Sequence, residues 1–224
     1  MIKNVKTTDL FDLERTIAKD IFNGRTYPWE VLPEIKAFVI ELGKKLPKDL
    51  FTLRGENVWV ANSCKIYPNV YIDGPCIIDE GTEIRPGAFI RGSVIVGKNC
   101  VIGNSTELKN CIIFDSVQVP HFNYVGDSIL GFCSHMGAGA ITSNVKSDKS
   151  LVKIKGNGFV LETGLKKVGA MLGDNVEIGC GSVLNPGTVI GKNSNVYPLS
   201  MVRGVISSDS IYKNVGEVVK KYGI

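Results

Sequence analysis

A large aliphatic residue recurs every six positions at Val60, Ile66, Ile72, Ile78, Ile84, Ile90, Val96, Ile102 and Leu108. A second series, Cys64, Val70, Cys76, Thr82, Ala88, Val94, Cys100 and Thr106, follows four places behind, and all its members are small or β-branched. A helix repeats about every 3.6 residues and a half-buried strand about every two, so neither produces this spacing. A parallel β-helix does, because each hexapeptide forms one short flat side and three sides close a triangular coil. Residues eighteen apart then stack, with successive coils about 4.8 Å apart. The pattern predicts aliphatic residues filling the interior and small residues fitting where the wall turns.

The ladder continues past Leu108 at Ile113, Val119, Val125, Leu130 and Met136, in steps of five, six, six, five and six. The shortened steps bracket the two histidines of the chain, His121 and His135. Irregularity in a regular scaffold tends to mark function. From residue 142 to about 167 the repeat gives way to a polar stretch too long for one side of a coil, which predicts a projecting loop. The ladder resumes at Leu172, Ile178, Leu184, Ile190, Val196 and Val202. About seven coils result, over residues 51–224, and the tail offers at most a short helix.

Residues 1–50 follow another rule. DLFDLERTIAKDIF sets Leu10, Phe11, Ile17, Ile21 and Phe22 near one helical face, with Thr8 or Asp9 as cap. WEVLPEIKAFVIELGKKL repeats the pattern with Leu32, Ile35, Phe38, Val39 and Leu42. This predicts an N-terminal helical cap that closes the first coil, since an open β-helix end presents unpaired strand edges.

Composition narrows the class. With 44% hydrophobic and 21% charged residues, the chain can bury a proper core. A net charge of +4 suits anionic small molecules and is too weak to argue for nucleic acid. The start has no apolar leader segment and no run approaches a membrane span, so the expected location is the cytoplasm. Of the six cysteines, Cys64, Cys76, Cys100 and Cys111 sit in the small-residue slot, and no CxxC pair suggests a disulfide framework or zinc cluster.

Candidate chemistry gathers in residues 119–145, VPHFNYVGDSILGFCSHMGAGAITSNV. His121 and Tyr124 lie three apart. A neutral imidazole is the usual general base near pH 7, while a histidine at a corner also serves simply by bonding a neighbouring carbonyl. Arg91 and Lys109 each follow an inward residue and lie eighteen apart, so they stack one coil apart. Two such charges repel unless they are solvated or share an anion such as a phosphate. GAGA at 137–140 either admits a ligand close to the backbone or answers to a tight corner. Lys146, Lys149, Lys153, Lys155, Lys166 and Lys167 make the loop basic, whether solvated or facing phosphates.

The blocks NSTELKN, VPHFNYVGDS, MGAGAITSNV and KKVGAMLGDNVEIG give these residues a family context. Over about residues 80–205 the chain resembles the left-handed β-helix, or hexapeptide-repeat, acyltransferase superfamily. Within it, the similarity is to the C-terminal half of sugar-1-phosphate nucleotidyltransferases with an acetyltransferase domain, such as the bifunctional N-acetylglucosamine-1-phosphate uridyltransferases. YPWEVLPEIK is similar to the helical connector of archaeal-type members.

The resemblance implies acetyl transfer from acetyl-CoA to the amino group of an amino-sugar phosphate such as glucosamine 1-phosphate, without a metal. The implied assembly is a homotrimer with sites between subunits. His121 is the implied base, and Tyr124 orients the sugar phosphate and the tetrahedral intermediate. Arg91 and Lys109 hold the phosphate, Asn144 and His135 contact the acceptor, and Lys153 (or Lys149) stands for the loop lysine. Ala138, Gly139, Cys180 and Pro198 line the CoA groove.

The chain departs from the family pattern in carrying His135 for an asparagine, Cys180 for a serine and Pro198 for an alanine. Residues 1–50 hold no Gly-rich nucleotide loop and are too few for the nucleotidyltransferase half, which leaves a separate nucleotidyltransferase as an expected partner. Two alternatives stand beside this reading. One is a non-catalytic β-helix that binds a sugar phosphate or nucleotide sugar. The other is a γ-type carbonic anhydrase, which needs three histidines on zinc where this chain has two.

Overall fold

The computed structural model describes residues 5–213 and 217–221. Its body is a mainly β solenoid of stacked parallel coils, as the six-residue ladder predicts. Each coil has three walls. The first wall runs from Val58–Ala61 through Cys76–Ile78 and Val94–Val96 to Val205–Ile206, and the second from Lys65–Ile66 to Ser210–Lys213. The third runs from Tyr71–Asp73 through Phe89–Arg91 to Met201–Val202. The strands Glu107–Ile113 and Tyr124–Leu130 bend from the third wall into the first, pairing with different neighbours along their two halves.

Inside, Ile78, Ile84, Ile90, Val96, Ile102 and Leu108 are all fully buried. The early coils keep the predicted step, Val58 pairing with Cys76 and Cys76 with Val94. The next two are one residue shorter, with Val94 opposite Cys111 and Cys111 opposite Ser128. Cys76, Cys100 and Cys111 fill interior slots, and burial pushes the Cys100 thiol up to about 12. Most corners carry a residue with positive φ, commonly glycine or a small polar residue such as Asn69, Ser105 and Asn175.

The N-terminal segment differs from expectation in form and place. The predicted first helix is broken into Thr7–Leu10 and the 3₁₀ turns Leu13–Arg15 and Lys19–Phe22, and the second shortens to Ile35–Gly43 after the turn Pro28–Val31. It closes no end of the solenoid. It lies along the first wall, where the helix Ile35–Gly43 contacts Cys76–Ile78, Val94–Val96 and Glu107–Ile113.

The reason is legible in the strands. Alternation turns Ile77, Ile95, Ile112, Ile129, Met171 and Val189 outward, yet all are fully buried. Covering each is worth on the order of 1.5–3 kcal/mol, an upper figure for burial from an extended chain. The segment is also tied by main-chain bonds to the corner between the first and second walls: Asp115 N donates to Arg15 O (3.0 Å) and Asp174 N to Leu10 O (3.0 Å). A continuous helix offers no such carbonyls, since its interior ones are already used.

One wall edge at each end is instead covered by an antiparallel strand. Phe51–Gly55 pairs with Val58–Ala61, and Glu217–Lys220 pairs with Ser210–Lys213, in the tail where a helix was expected. Residues 142–167 do project, but they carry an antiparallel hairpin, Lys153–Gly156 with Phe159–Glu162. Among the described residues no helix is long and apolar enough to cross a membrane.

Two outcomes test this packing. Ile95→Ala removes a side chain sealed between wall and N-terminal segment, and is expected to cost about 2–5 kcal/mol in urea unfolding. Val160→Ala, at a position 55% exposed, is expected to cost under about 0.5 kcal/mol; equal costs would remove the claim that the wall is covered.

Asp79 is 1% exposed beneath the same segment, and its Oδ2 has no partner among the described residues. Burial, with the nearby Asp115 and Glu80 charges, raises its carboxyl above the ordinary range against the pull of the Glu80 N–H and Lys98. A carboxyl raised on folding weakens the fold where it is ionised and ceases to do so as pH falls towards its unfolded value. Asp79→Asn is therefore expected to stabilise the protein at pH 7, the gain fading on acidification to about pH 4. A gain that grows on acidification would contradict this.

Candidate active site

The corner between the second and third walls carries His121, Ala138, Gly139, Cys180 and Pro198 of the residues singled out from the sequence. Asn69, Gly87, Ser105, Phe122, Gly139, Gly181 and Leu199 occupy it in successive coils, all with positive φ. Main-chain bonds join the rungs: Phe122 N to Asn104 O (2.9 Å), Gly139 N to His121 O (3.0 Å), Gly181 N to Ala138 O (2.8 Å) and Leu199 N to Cys180 O (2.9 Å). His121, Ala138, Cys180 and Pro198 thus stack in one column beside Gly139. Phe122 and Leu199 hold φ of 53° and 58° while 62% and 86% exposed. Bulky residues rarely take this conformation, and such strain gathers at ligand and catalytic sites.

The imidazole of His121 is exposed, and among the described residues nothing bonds its ring. Its backbone is fixed by a residue the sequence reading passed over. Asn123, 3% exposed, accepts the His121 N–H at Oδ1 (3.0 Å) and donates Nδ2 to Gly137 O (2.8 Å) and Ala140 O (3.0 Å). One buried amide therefore couples the histidine turn to GAGA in the next coil. The glycines there answer to packing: a Cβ on Gly137 would stand 2.7 Å from Cys180 N, and Gly139 has φ +70°.

Tyr124 opens the third wall, one turn beyond His121. Its phenol folds back along the wall, which requires Gly126, where a Cβ would meet the hydroxyl at 2.4 Å. The hydroxyl oxygen accepts Asn144 Nδ2 (3.1 Å), leaving its own proton to donate. Burial and the Asp127 charge push the phenol above its ordinary value against the Asn144 bond, so it is neutral at pH 7.

Asp127 is the hub of this side and was not singled out from the sequence. It is 4% exposed and gathers Lys109 Nζ (3.1 Å), Asn110 Nδ2 (2.8 Å) and Asn144 Nδ2 (2.5 Å). The GDS tripeptide was its only trace. Arg91 and Lys109 do stack one coil apart, but the expected repulsion is resolved without a shared anion. Arg91 pairs with Glu107 at 2.7 Å and Lys109 with Asp127.

His135 lies elsewhere, on the second wall between Gln118 and Glu177, with Nδ1 2.8 Å from Glu177 Oε2. Lys153 sits on the hairpin, 2.7 Å from Glu162. The site so assembled is an exposed imidazole at the corner and a neutral phenol at the start of the adjoining wall strand, followed by Ala138, Cys180 and Pro198 in the coils beyond.

The family model described as the GMPPB C-terminal domain matches residues 72–206. A curated relative, the bifunctional protein GlmU of Methanococcus maripaludis, is 34% identical over 219 residues, covering 89% of this chain and 49% of its own length. A bifunctional sugar-1-phosphate nucleotidylyltransferase/acetyltransferase of Sulfurisphaera tokodaii is 30% identical over 175 residues, covering 70% of this chain and 43% of that protein. The chain spans about half the length of the curated relatives it matches. Among solved structures, a putative acetyltransferase of Bacillus cereus covers 70% of this chain and 77% of its own, with 16% identity and a TM-score of 0.46.

Asp127 as hub has a measurable consequence. Asp127→Ala strands a partly buried ammonium and two amides, and is expected to lower stability by roughly 3–5 kcal/mol. A double-mutant cycle with Lys109→Ala should return a coupling of at least about 1 kcal/mol, whereas additive losses would show that the pair is independent.

Proposed function

Since the chain belongs to the family of the GMPPB C-terminal domain, within the left-handed β-helix acyltransferase superfamily, we propose that it is an acetyl-CoA-dependent N-acetyltransferase acting on an amino-sugar phosphate. The observation that carries this is an exposed imidazole at His121, with no ring partner among the described residues, three residues before a neutral phenol at Tyr124 whose hydroxyl accepts from Asn144. An acyl transfer to nitrogen needs both kinds of group: a base for the amine proton, and donors for the oxyanion.

In this reading the sugar nitrogen attacks the thioester carbonyl while His121 accepts its proton. The C–N bond forms and the carbonyl oxygen becomes an oxyanion. In this reading the Tyr124 hydroxyl and the Ala138 N–H, which has no partner among the described residues, donate to it. Collapse breaks the C–S bond, and the coenzyme A thiolate takes the proton back from the imidazolium. Arg91 and Lys109 each keep N–H donors beyond those that their carboxylates occupy, and these are offered to the sugar phosphate. The column of Ala138, Cys180 and Pro198 leaves a narrow, apolar track for the pantetheine arm. In a homotrimer, a neighbouring protomer would supply the other bank.

The test is acetyl transfer from acetyl-CoA to a panel of amino-sugar 1-phosphates, read by mass spectrometry of the product. His121→Ala is expected to lower kcat by about 10²–10⁴ with the fold intact. Wild-type turnover at the level of the histidine variant across the panel would end the enzymatic reading.

A further inference from the structure

The third wall ends beside the projecting hairpin, and between them runs a groove of about 460 Å³ lined by Lys146, Lys153, Lys155, Asn185 and Arg203. That volume is within the range of small-molecule sites. The charges lining it are all positive. Lys146 and Lys153 are partly compensated from outside the groove, by Asp148 at 3.3 Å and Glu162 at 2.7 Å. Lys155 and Arg203 have no carboxylate partner among the described residues. This contrasts with Arg91 and Lys109 lower on the same wall, both already paired.

The cations are held there by the fold. Along the hairpin strand, Val152 and Ile154 are fully buried while Lys153 and Lys155 alternate outward on the opposite face. Two corner glycines let the strand lie directly on the coils. A Cβ on Gly187 would meet Val152 at 2.8 Å, and one on Gly204 would meet Lys155 O at 2.5 Å; both have φ +78°. Lys155 and Arg203 thus line one groove, and among the described residues no carboxylate lines it with them.

We propose that this groove is a phosphate-ester subsite, with Lys155 and Arg203 as its principal ligands. A phosphate bearing two charges suits two uncompensated donors, one of them able to bind it with two N–H groups. Position selects the nucleotide end of the acyl donor as the natural occupant, and this assignment rests on the acetyl-transfer reading above. Tyr124 pairs with Ile141, Ile141 with Val183 and Val183 with Met201, two residues before Arg203. Three rungs at strand spacing are about 14 Å. A pantetheine arm is a chain of about thirteen single bonds, roughly 16 Å when extended at about 1.2 Å per bond. A thioester at Tyr124 therefore brings its phosphates to the level of the groove. A sugar phosphate is the other source of the same group.

Calorimetry on the full chain decides, with adenosine 3′,5′-bisphosphate and glucosamine 1-phosphate as separate probes. The Lys155→Gln/Arg203→Gln variant is compared with Lys36→Gln/Lys45→Gln, which removes the same charge from the N-terminal segment. Loss of at least tenfold affinity for the bisphosphate in the groove variant alone assigns the subsite to the donor, and the same loss for the sugar phosphate assigns it to the acceptor. Equal weakening in both variants, or no binding of either probe by the wild type, overturns the subsite. Calorimetry needs no turnover, so bisphosphate binding by a protein without acetyl transfer defeats only the enzymatic reading. Acetyl transfer with an unchanged KM for acetyl-CoA in the groove variant defeats only the donor assignment.

Discussion

The structure depends on the vertical register of its coils. The coil strands are only two to seven residues long, and the inner ones bond to the coil above and the coil below, so no rung is stable alone. The fully buried inner ladder, from Ile78 to Leu108 and on to Leu172 and Ile190, locks that register. A slip of one residue would turn every aliphatic side chain outward. Regularity also creates a hazard, because a stack of parallel strands ends in open edges. At each end an antiparallel strand covers one of the three edges, Phe51–Gly55 on the first wall and Glu217–Lys220 on the second.

The candidate site arises where that register is disturbed and then repaired. Two consecutive coils lose a residue, and the turns after them are held by side chains instead of by the repeat. Asn123 ties the His121 turn to the following coil, and Asp127 ties Lys109, Asn110 and Asn144 into one cluster. Both are nearly sealed from solvent, where a half-satisfied polar network is costly and a satisfied one is rigid. Rigidity of this kind leaves the His121 ring exposed at the corner while the Tyr124 hydroxyl is held over Gly126 by Asn144. The hairpin that follows adds a second boundary to the third wall. That wall then carries paired charge at one end and unpaired positive charge at the other.

The N-terminal segment shows how a pattern can be right in kind and wrong in placement. Its apolar residues are at helical spacing, and Leu10, Ile21, Phe22, Ile35 and Val39 are indeed buried. The continuous apolar runs CII, VIV, CII and AML of the first wall were the available sign that its outer face is covered. A strand wet on one side alternates, and one buried on both sides does not.

The sequence alone determined the solenoid, its inward ladder, the projecting insertion and the nearness of His121 to Tyr124. Each of these is a matter of period or short separation, which a linear string records. The tertiary structure decided which charges are paired, which face the N-terminal segment covers, that Asp127 gathers Lys109, Asn110 and Asn144, and that Arg203 lines a groove with Lys155. Glu107 and Arg91 are 16 residues apart, and Lys155 lies on an insertion whose distance from Arg203 no period fixes. Contacts between a repeat and an element outside it are set by packing, and packing leaves no spacing in the chain to read.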